Sequence, residues 1–166
     1  MNGKLIGIFL IAAGAIGGAA MYWLQVYAFY ERLDDVALVM TEGGVAQPLD
    51  VSNLQAIDAT SSPIRFRACF DIAGAVAGDV YADAVPLNAP GWFDCFDAEA
   101  IGDALASGTA QAYLGQFNVI YGIDRVIAVF PDGRAFAWHQ INACGEEVFD
   151  GNPPPDGCPP VPEGTE

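Results

Sequence analysis

An uncharged apolar run near the amino terminus constrains this chain more than any other feature. Leu5 to Leu24 contains no acid or base, and the next charged residue is Glu31. About twenty apolar residues in a helix, rising about 1.5 Å each, match the roughly 30 Å hydrocarbon core of a bilayer. Residues 1–30 are therefore interpreted as a transmembrane anchor.

The flanks of this run indicate its orientation. Lys4 precedes it, and the net-acidic segment Glu31–Asp35 follows it. Aromatic residues typical of a membrane–water interface cluster at its carboxyl end, at Tyr22, Trp23, Tyr27 and Tyr30. The positive-inside rule then places the amino terminus in the cytoplasm and the rest outside. A cleaved signal peptide is the alternative, because Gly18-Ala19-Ala20 resembles a cleavage site, but the length of the run favours a retained anchor.

Two glycines inside the anchor suggest a partner helix. Gly14 and Gly18 form a G-x-x-x-G pair, a spacing that lets two helix backbones approach closely. Glycine is also common in spanning helices that have no such contact. We expect the pair to pack against another inner-membrane protein.

The cysteines indicate an oxidising compartment. All four follow the anchor, at Cys69, Cys95, Cys144 and Cys158. An even count outside the cytoplasm is typical of disulfides, and three pairings are possible. Cys69–Cys95 with Cys144–Cys158 is preferred, since the second bridge would close a short Pro/Gly-rich loop. A zinc site or a thiol oxidoreductase is disfavoured because the chain has no C-x-x-C and one histidine.

The charge balance limits the possible partners. Six basic residues face twenty-one acidic ones, for a net charge of −15. Nucleic-acid binding requires a basic surface and is excluded. A cationic periplasmic protein could be attracted, although acidity also serves solubility. Glycine-rich fingerprints for phosphate or dinucleotide cofactors are missing from the sequence, so no cofactor is expected.

The segment after the anchor predicts a small α+β domain over residues 31–145, with one antiparallel sheet and one helix. Period-two or short apolar runs predict its strands at Val36–Met40, Ile64–Ile72, Thr109–Phe117, Ile123–Phe130 and Ala135–Ile141. Pro131-Asp132-Gly133 makes the last two a hairpin. Asp50–Ala59 is interpreted as a loop or weak strand.

One helix is predicted in this domain, and an irregular tail follows it. Asp97 can cap a helix over Ala98–Ser107, and Gly108 can end it. Residues 146–166 are rich in proline, glycine and acids, which predicts an acidic tail held by a disulfide.

Few residues suggest catalysis or ligand binding. His139 is the only histidine and lacks a nucleophile-elbow partner. Asp94, Asp97 and Glu99 could bind a hard cation, although Asp97 has a simpler role as a helix cap. Arg65 and Arg67, on one face of the predicted strand, could hold an anion or offset neighbouring acids. No catalytic or metal-binding residue is assigned.

Two stretches carry a resemblance to a known group of proteins. Gly18–Tyr30 and Val129–His139 together resemble an uncharacterised family of small single-anchor envelope proteins from alphaproteobacteria. The resemblance implies a bacterial inner membrane and a periplasmic domain, and it carries no functional residue.

These observations favour a non-enzymatic, membrane-anchored periplasmic protein, an accessory subunit or assembly factor of an inner-membrane, for instance respiratory, complex. A periplasmic sensor or ligand-binding module is the alternative. An enzyme with an unrecognised site around His139 or Asp94 is the third hypothesis.

The topology can be tested with reporter fusions placed directly after Asp35. An alkaline phosphatase fused there should be active, because the acidic flank places this point outside the cytoplasm. The same reporter fused after Lys4 serves as the cytoplasmic control. An inactive fusion after Asp35, or a mature amino terminus near Met21, would contradict a retained and outward-facing anchor.

Overall fold

The computed structural model, which describes residues 2–74 and 76–163, has one long apolar helix followed by an α+β domain. Its elements in chain order are α1 (Gly3–Val26), β1 (Glu31–Leu33), β2 (Val39–Glu42), β3 (Val45–Pro48), β4 (Val51–Asp58), β5 (Arg67–Ile72), α2 (Ala98–Ala106), β6 (Gln111–Ile120), β7 (Ile123–Val129), β8 (Arg134–Ile141) and α3 (Ala143–Phe149). Helix α1 is long and apolar enough to cross a membrane, and none of its residues is buried.

Six strands form one antiparallel sheet in the order β1-β4-β5-β8-β7-β6, and β2 and β3 form a separate hairpin. The predicted hairpin of β7 and β8 is confirmed, with a register from Ile123 opposite Ile141 to Val129 opposite Ala135. Gly133 closes its turn at φ 91°, a conformation that glycine adopts without a Cβ penalty.

Both faces of this sheet are buried. On one face Ala68, Phe70 and Ile127 pack under Leu38 and Met40, which belong to the β2–β3 hairpin and the residues before it. On the other face Trp138, Val126 and Cys69 form a second cluster. They pack there against Ile101 of α2 and against the buried side chains of Phe93 and Phe96. The domain therefore has three layers, with the sheet in the middle.

Burial on both faces corrects the sequence analysis at β5. The alternation of Phe66, Ala68 and Phe70 with polar Arg67 indicated a half-buried strand. In the structure the strand is Arg67–Ile72 rather than Ile64–Ile72, and Arg67 is only 4% exposed. The alternation therefore reflects a difference in chemistry between two buried faces of the strand, and not the difference between a solvent-exposed face and a buried face.

Other strands differ in position from the predictions, as β6 does from Thr109–Phe117, or were not predicted, as β3 was not. The first predicted strand, Val36–Met40, is replaced by β2 at Val39–Glu42, and β1 was not predicted. The segment interpreted as a loop or weak strand is β4, which lies inside the sheet between β1 and β5. Its residues Ser52, Asn53 and Gln55 are exposed, and only Ala56 and Ile57 are fully buried, so its composition concealed its place.

The predicted helix is confirmed as α2. The Asp97 side chain accepts a hydrogen bond from the Ala100 backbone N–H at 3.1 Å, and Gly108 follows the helix at φ 72°. A second helix in the domain, α3, was not predicted. It has seven residues and is capped by Asn142, so it depends on tertiary contacts rather than on its own propensity.

Both preferred disulfides are present. Cys69–Cys95 joins β5 to the segment before α2 with a Cα–Cα distance of 6.3 Å. Cys144–Cys158 joins α3 to the tail with a Cα–Cα distance of 5.8 Å. Each bridge fixes a segment that has little regular structure of its own, and such bridges commonly contribute about 2–4 kcal/mol.

A close backbone contact between Gly122 and Gly145 provides a stability test. A Cβ at Gly145 would collide with the Gly122 backbone, which lies at the β6–β7 turn. Gly145→Ala should therefore lower the free energy of unfolding by about 1–3 kcal/mol, as overpacking does. Gly91→Ala is the matched control, because its Cβ would meet no atom within 4 Å. Equal urea midpoints for the two variants would contradict this packing.

Candidate functional site

A cleft opens at the end of the sheet nearest α1, and we call it the anchor-proximal cleft. Its volume is about 450 Å³. The residues lining it are Glu31, Leu33, Asp58, Ala59, Thr60, Ser62, Pro63, Ile120 and His139. They come from β1, β4, β8, the end of β6 and the segment after β4, so tertiary structure alone brings them together.

Two carboxylates stand side by side on one wall of this cleft. Glu31 on β1 is the antiparallel register partner of Asp58 on β4, which places both side chains on the same sheet face. Asp58 accepts a hydrogen bond from the Ala59 backbone N–H at 2.7 Å. Burial raises the pKa of Asp58, while that N–H bond and the charges of Arg125 and Arg67 act in the opposite direction.

No cation pairs with either carboxylate in the part of the chain that the structure describes. The ion pair found there joins Arg134 to Asp132, at 2.7 Å, in the β7–β8 turn. Asp58 is thus a partly buried carboxylate that Arg125 and Arg67 stabilise through their charges but that no described cation contacts directly.

His139 lies in the cleft and is buried, with 5% of its surface exposed. Its Nδ1 lies 2.8 Å from the Pro63 carbonyl oxygen, and its Nε2 accepts from Arg125 Nε at 3.2 Å. The ring stacks on Phe66 at 4.7 Å. A carbonyl accepts and a guanidinium donates, so the imidazole is neutral and carries its proton on Nδ1.

The electrostatic environment maintains that neutral state. Burial lowers the pKa of His139 to about 4; the hydrogen bond with the Pro63 carbonyl opposes this shift, and the charges of Arg125 and Arg67 add to it. Both ring nitrogens are occupied. In this arrangement the imidazole offers no free nitrogen to a metal ion or a substrate proton.

Arg67 is a buried cation held by backbone oxygens. It donates to the carbonyls of Leu87, Ile64, Phe66 and Asn88 at 2.7, 2.8, 2.6 and 3.1 Å. Burial lowers its pKa to about 10. Arg65 precedes β5 and lies over the Tyr30 ring, so the two arginines do not form the anion site that the sequence suggested.

A second notable region joins α1 to the domain, and we call it the aromatic junction, formed by Trp23, Tyr27, Tyr30 and Trp92. The Trp92 indole N–H donates to the Val26 carbonyl at the end of α1, at 2.8 Å. Trp92 stacks with Tyr27 at 6.1 Å and meets Tyr30 edge-on at 5.8 Å. Trp23 stacks on Tyr27 at 5.2 Å.

The aromatic junction adds to the role predicted for these residues. Tyr22, Trp23, Tyr27 and Tyr30 were expected to lie at the membrane interface, and that expectation remains a prediction. In the structure Tyr27 and Tyr30 also contact the domain. Nothing in the local sequence indicates that Trp92 contacts α1, because its partner lies 66 residues earlier.

The other residues considered in the sequence do not converge on a site. Asp97 caps α2, and Asp94 and Glu99 are exposed. Within residues 2–74 and 76–163, no group of three His, Cys, Asp or Glu side chains could hold a metal ion. Gly14 and Gly18 lie on open α1 surface, where an added Cβ would meet no atom within 4 Å.

A buried carboxylate that the sequence analysis missed has a structural role. Asp124 accepts from Asn142 Nδ2 at 2.7 Å, from the Asn118 backbone N–H at 2.9 Å and from the Tyr81 hydroxyl at 3.2 Å. Burial, reinforced by the charge of Asp124, raises the pKa of Tyr81. This network ties the start of α3 to the β6–β7 turn, with Asn142 also capping α3 through Gly145 at 3.0 Å.

The lowered pKa of His139 predicts acid sensitivity. In the unfolded chain His139 binds a proton with a pKa near 6.5, whereas in the folded chain it is not protonated until the pH falls to about 4. The contribution of His139 to stability is therefore fully present above pH 6.5 and is lost as pH falls from 6.5 to about 4. Between pH 7.5 and pH 5 the contribution of His139 should fall by about 2 kcal/mol. His139→Gln should remove this part of the pH dependence in urea unfolding of the full chain.

The raised pKa of Asp58 provides an internal reference for that measurement. The raised pKa of Asp58 has the opposite effect on stability, because it lowers the free energy of unfolding as pH rises through the titration of Asp58. The unsubstituted protein and the His139→Gln variant both contain Asp58, so this effect is common to the two measurements. If His139→Gln leaves the stability difference between pH 7.5 and pH 5 unchanged, the assignment of His139 as a buried neutral histidine is wrong.

Comparison with known proteins places the chain in a family without giving it an activity. A model of a family of unknown function, DUF6446, matches residues 36–159, which covers the domain from before β2 to just beyond Cys158. Searches of curated proteins and of solved structures returned no significant match. Both disulfides, most of the sheet and most residues of the anchor-proximal cleft lie within the matched residues, whereas Glu31 and Leu33 of the cleft precede them. The chain belongs to the DUF6446 family of unknown function.

Proposed function

We propose that this protein is a non-enzymatic accessory subunit or assembly factor of an inner-membrane complex, for instance a respiratory one, with its domain in the periplasm. The observation that carries the proposal is the aromatic junction. Trp92 holds the last turn of α1 through the Val26 carbonyl, so the domain has a defined position relative to the helix.

The path from the helix to the sheet is short and well supported. Trp92 lies between Asn88, whose carbonyl binds Arg67, and Cys95, which is bonded to Cys69 on β5. Both attachments end on the same central strand. A domain fixed in this way can contact a membrane partner through α1 and through its own surface at once, with less ordering cost than a flexible tether incurs.

The disulfides and the charges beside the anchor support the proposed compartment. Two disulfides are typical of an oxidising compartment. Lys4 before the anchor and the acidic residues after it favour a single-pass topology with the amino terminus in the cytoplasm. The resemblance to alphaproteobacterial envelope proteins supports a bacterial inner membrane.

A ligand-binding or sensor module is the second candidate, favoured by the anchor-proximal cleft with its unpaired Asp58. A rigid junction would also let such a module transmit a change to α1. A soluble cationic protein attracted by the net charge of −15 is a further candidate partner.

The proposal predicts that the glycine face of α1 recruits the complex. Gly14→Leu/Gly18→Leu should leave insertion intact, since the helix becomes more apolar, but should reduce recovery of the complex in mild detergent at least about fivefold, because leucine prevents close helix approach. Ala12→Leu/Ala20→Leu is the matched control, because at 3.6 residues per turn these positions lie on the opposite face.

Co-isolation is measured by quantitative mass spectrometry against a strain that lacks the protein. If both double variants recover every specific partner as the unsubstituted protein does, α1 is only a tether, and the accessory-subunit proposal loses its basis.

A further inference from the structure

We infer that the anchor-proximal cleft receives a lysine or arginine side chain from a partner protein at the membrane surface. The inference rests on the proposed function and names the chemistry by which the domain would contact its partner. It is drawn from the shape of the cleft, its charge and its position.

The shape of the cleft suits a long side chain with an aliphatic stem. Leu33, Ala59, Pro63 and Ile120 supply apolar walls, and Ile120 is 55% exposed although it belongs to the sheet. Lysine and arginine commonly lay their methylene groups along apolar surface while the charged end reaches a polar group.

The charge of the cleft is complementary to such a side chain. Glu31 and Asp58 present adjacent carboxylates on one face, and neither has an ion-pair partner among the described residues. A partly desolvated carboxylate gains more from a cation than a fully hydrated one does, because the local dielectric constant is lower.

The nearby arginines do not fill this role because their guanidinium groups are engaged elsewhere. Arg67 donates to four backbone carbonyls. Arg125 lies over the Phe66 ring at 4.3 Å and donates to His139 and to the Ala37 carbonyl. Both arginines attract Asp58 through their charges without forming an ion pair with it, so a cation in direct contact with Asp58 would come from another molecule.

The position of the cleft favours a membrane protein as that molecule. Glu31 is the fifth residue after the end of α1, so a partner that packs along α1 would bring its own loop to this level. An anionic lipid surface is disfavoured, because a domain with five arginines and twenty-one acids is repelled by it.

A cleft of similar size at the other end of the sheet lacks this combination. It has a volume of about 480 Å³, and its one acid, Asp132, is already paired with Arg134. It supplies a control position, Thr109, for the experiments.

The first experiment measures the chemistry of the cleft with small probes. The full chain in detergent micelles is titrated with butylguanidinium or butylammonium, with butanol and sodium chloride as controls, and backbone amide shifts are followed. Saturable shifts are expected at Leu33, Ala59 and Ile120. Glu31→Gln/Asp58→Asn should weaken binding at least about tenfold, on the scale of one desolvated charge pair.

The matched control is Asp34→Asn/Asp35→Asn, which removes the same charge from two exposed residues outside the cleft. It should bind the probes as the unsubstituted protein does. Equal binding by the Glu31/Asp58 variant, or equal weakening by both variants, would overturn the inference.

The second experiment identifies the source of the cation. p-Benzoyl-phenylalanine at the exposed cleft residue Thr60 is photo-crosslinked in native membranes, with the same residue at Thr109 as the control. The inference predicts a Thr60 crosslink within a few residues of a lysine or arginine on another polypeptide, lost in the Glu31→Gln/Asp58→Asn background.

The outcomes separate the two proposals. If the complex is lost with Gly14→Leu/Gly18→Leu but the Thr60 crosslink is absent or unaffected by the acid substitutions, the accessory-subunit proposal stands and the cleft inference fails. If the amine probes bind but no partner polypeptide is crosslinked, the cleft takes a free small amine, and the docking inference is wrong.

Discussion

The buried guanidinium of Arg67 organises the end of the domain that lies nearest α1. A buried charge that forms no ion pair with a described carboxylate must be stabilised by other dipoles, and here four backbone carbonyls from two separate segments provide them. One of these segments continues to Trp92 and Cys95. The position of α1 relative to the sheet therefore depends on a cation at the first residue of a central strand, and the Cys69–Cys95 bridge reinforces it.

Rigidity at the aromatic junction fixes the position of the anchor-proximal cleft relative to α1. The aromatic junction keeps Glu31 and Asp58 at one level beside the end of α1, which a freely moving domain would not do. His139 contributes as a neutral support, with both ring nitrogens bonded and its ring on Phe66. A polar group whose hydrogen bonds are all satisfied in this way stabilises the cleft wall.

Local chemistry explains which parts of the fold were predictable. The α2 helix has an aspartate cap before it and a glycine after it, and the β7–β8 hairpin has a proline–glycine turn between two apolar runs. The disulfide pairing followed from loop composition. By contrast β4 is polar in its exposed half, and α3 is held by the Gly122–Gly145 contact and the Asn142 cap, neither of which produces a periodic pattern.

The sequence by itself determined an apolar helix long enough to span a membrane, the disulfide-bonded α+β class and the acidic character of the chain, because these depend on run length, spacing and composition. Tertiary structure decided which residues meet. Val26 and Trp92 are 66 residues apart, and Glu31, Asp58 and His139 come from three strands that only the sheet order brings to one cleft. Burial on both faces likewise depends on what covers the sheet, and a strand's own alternation carries no information about its cover.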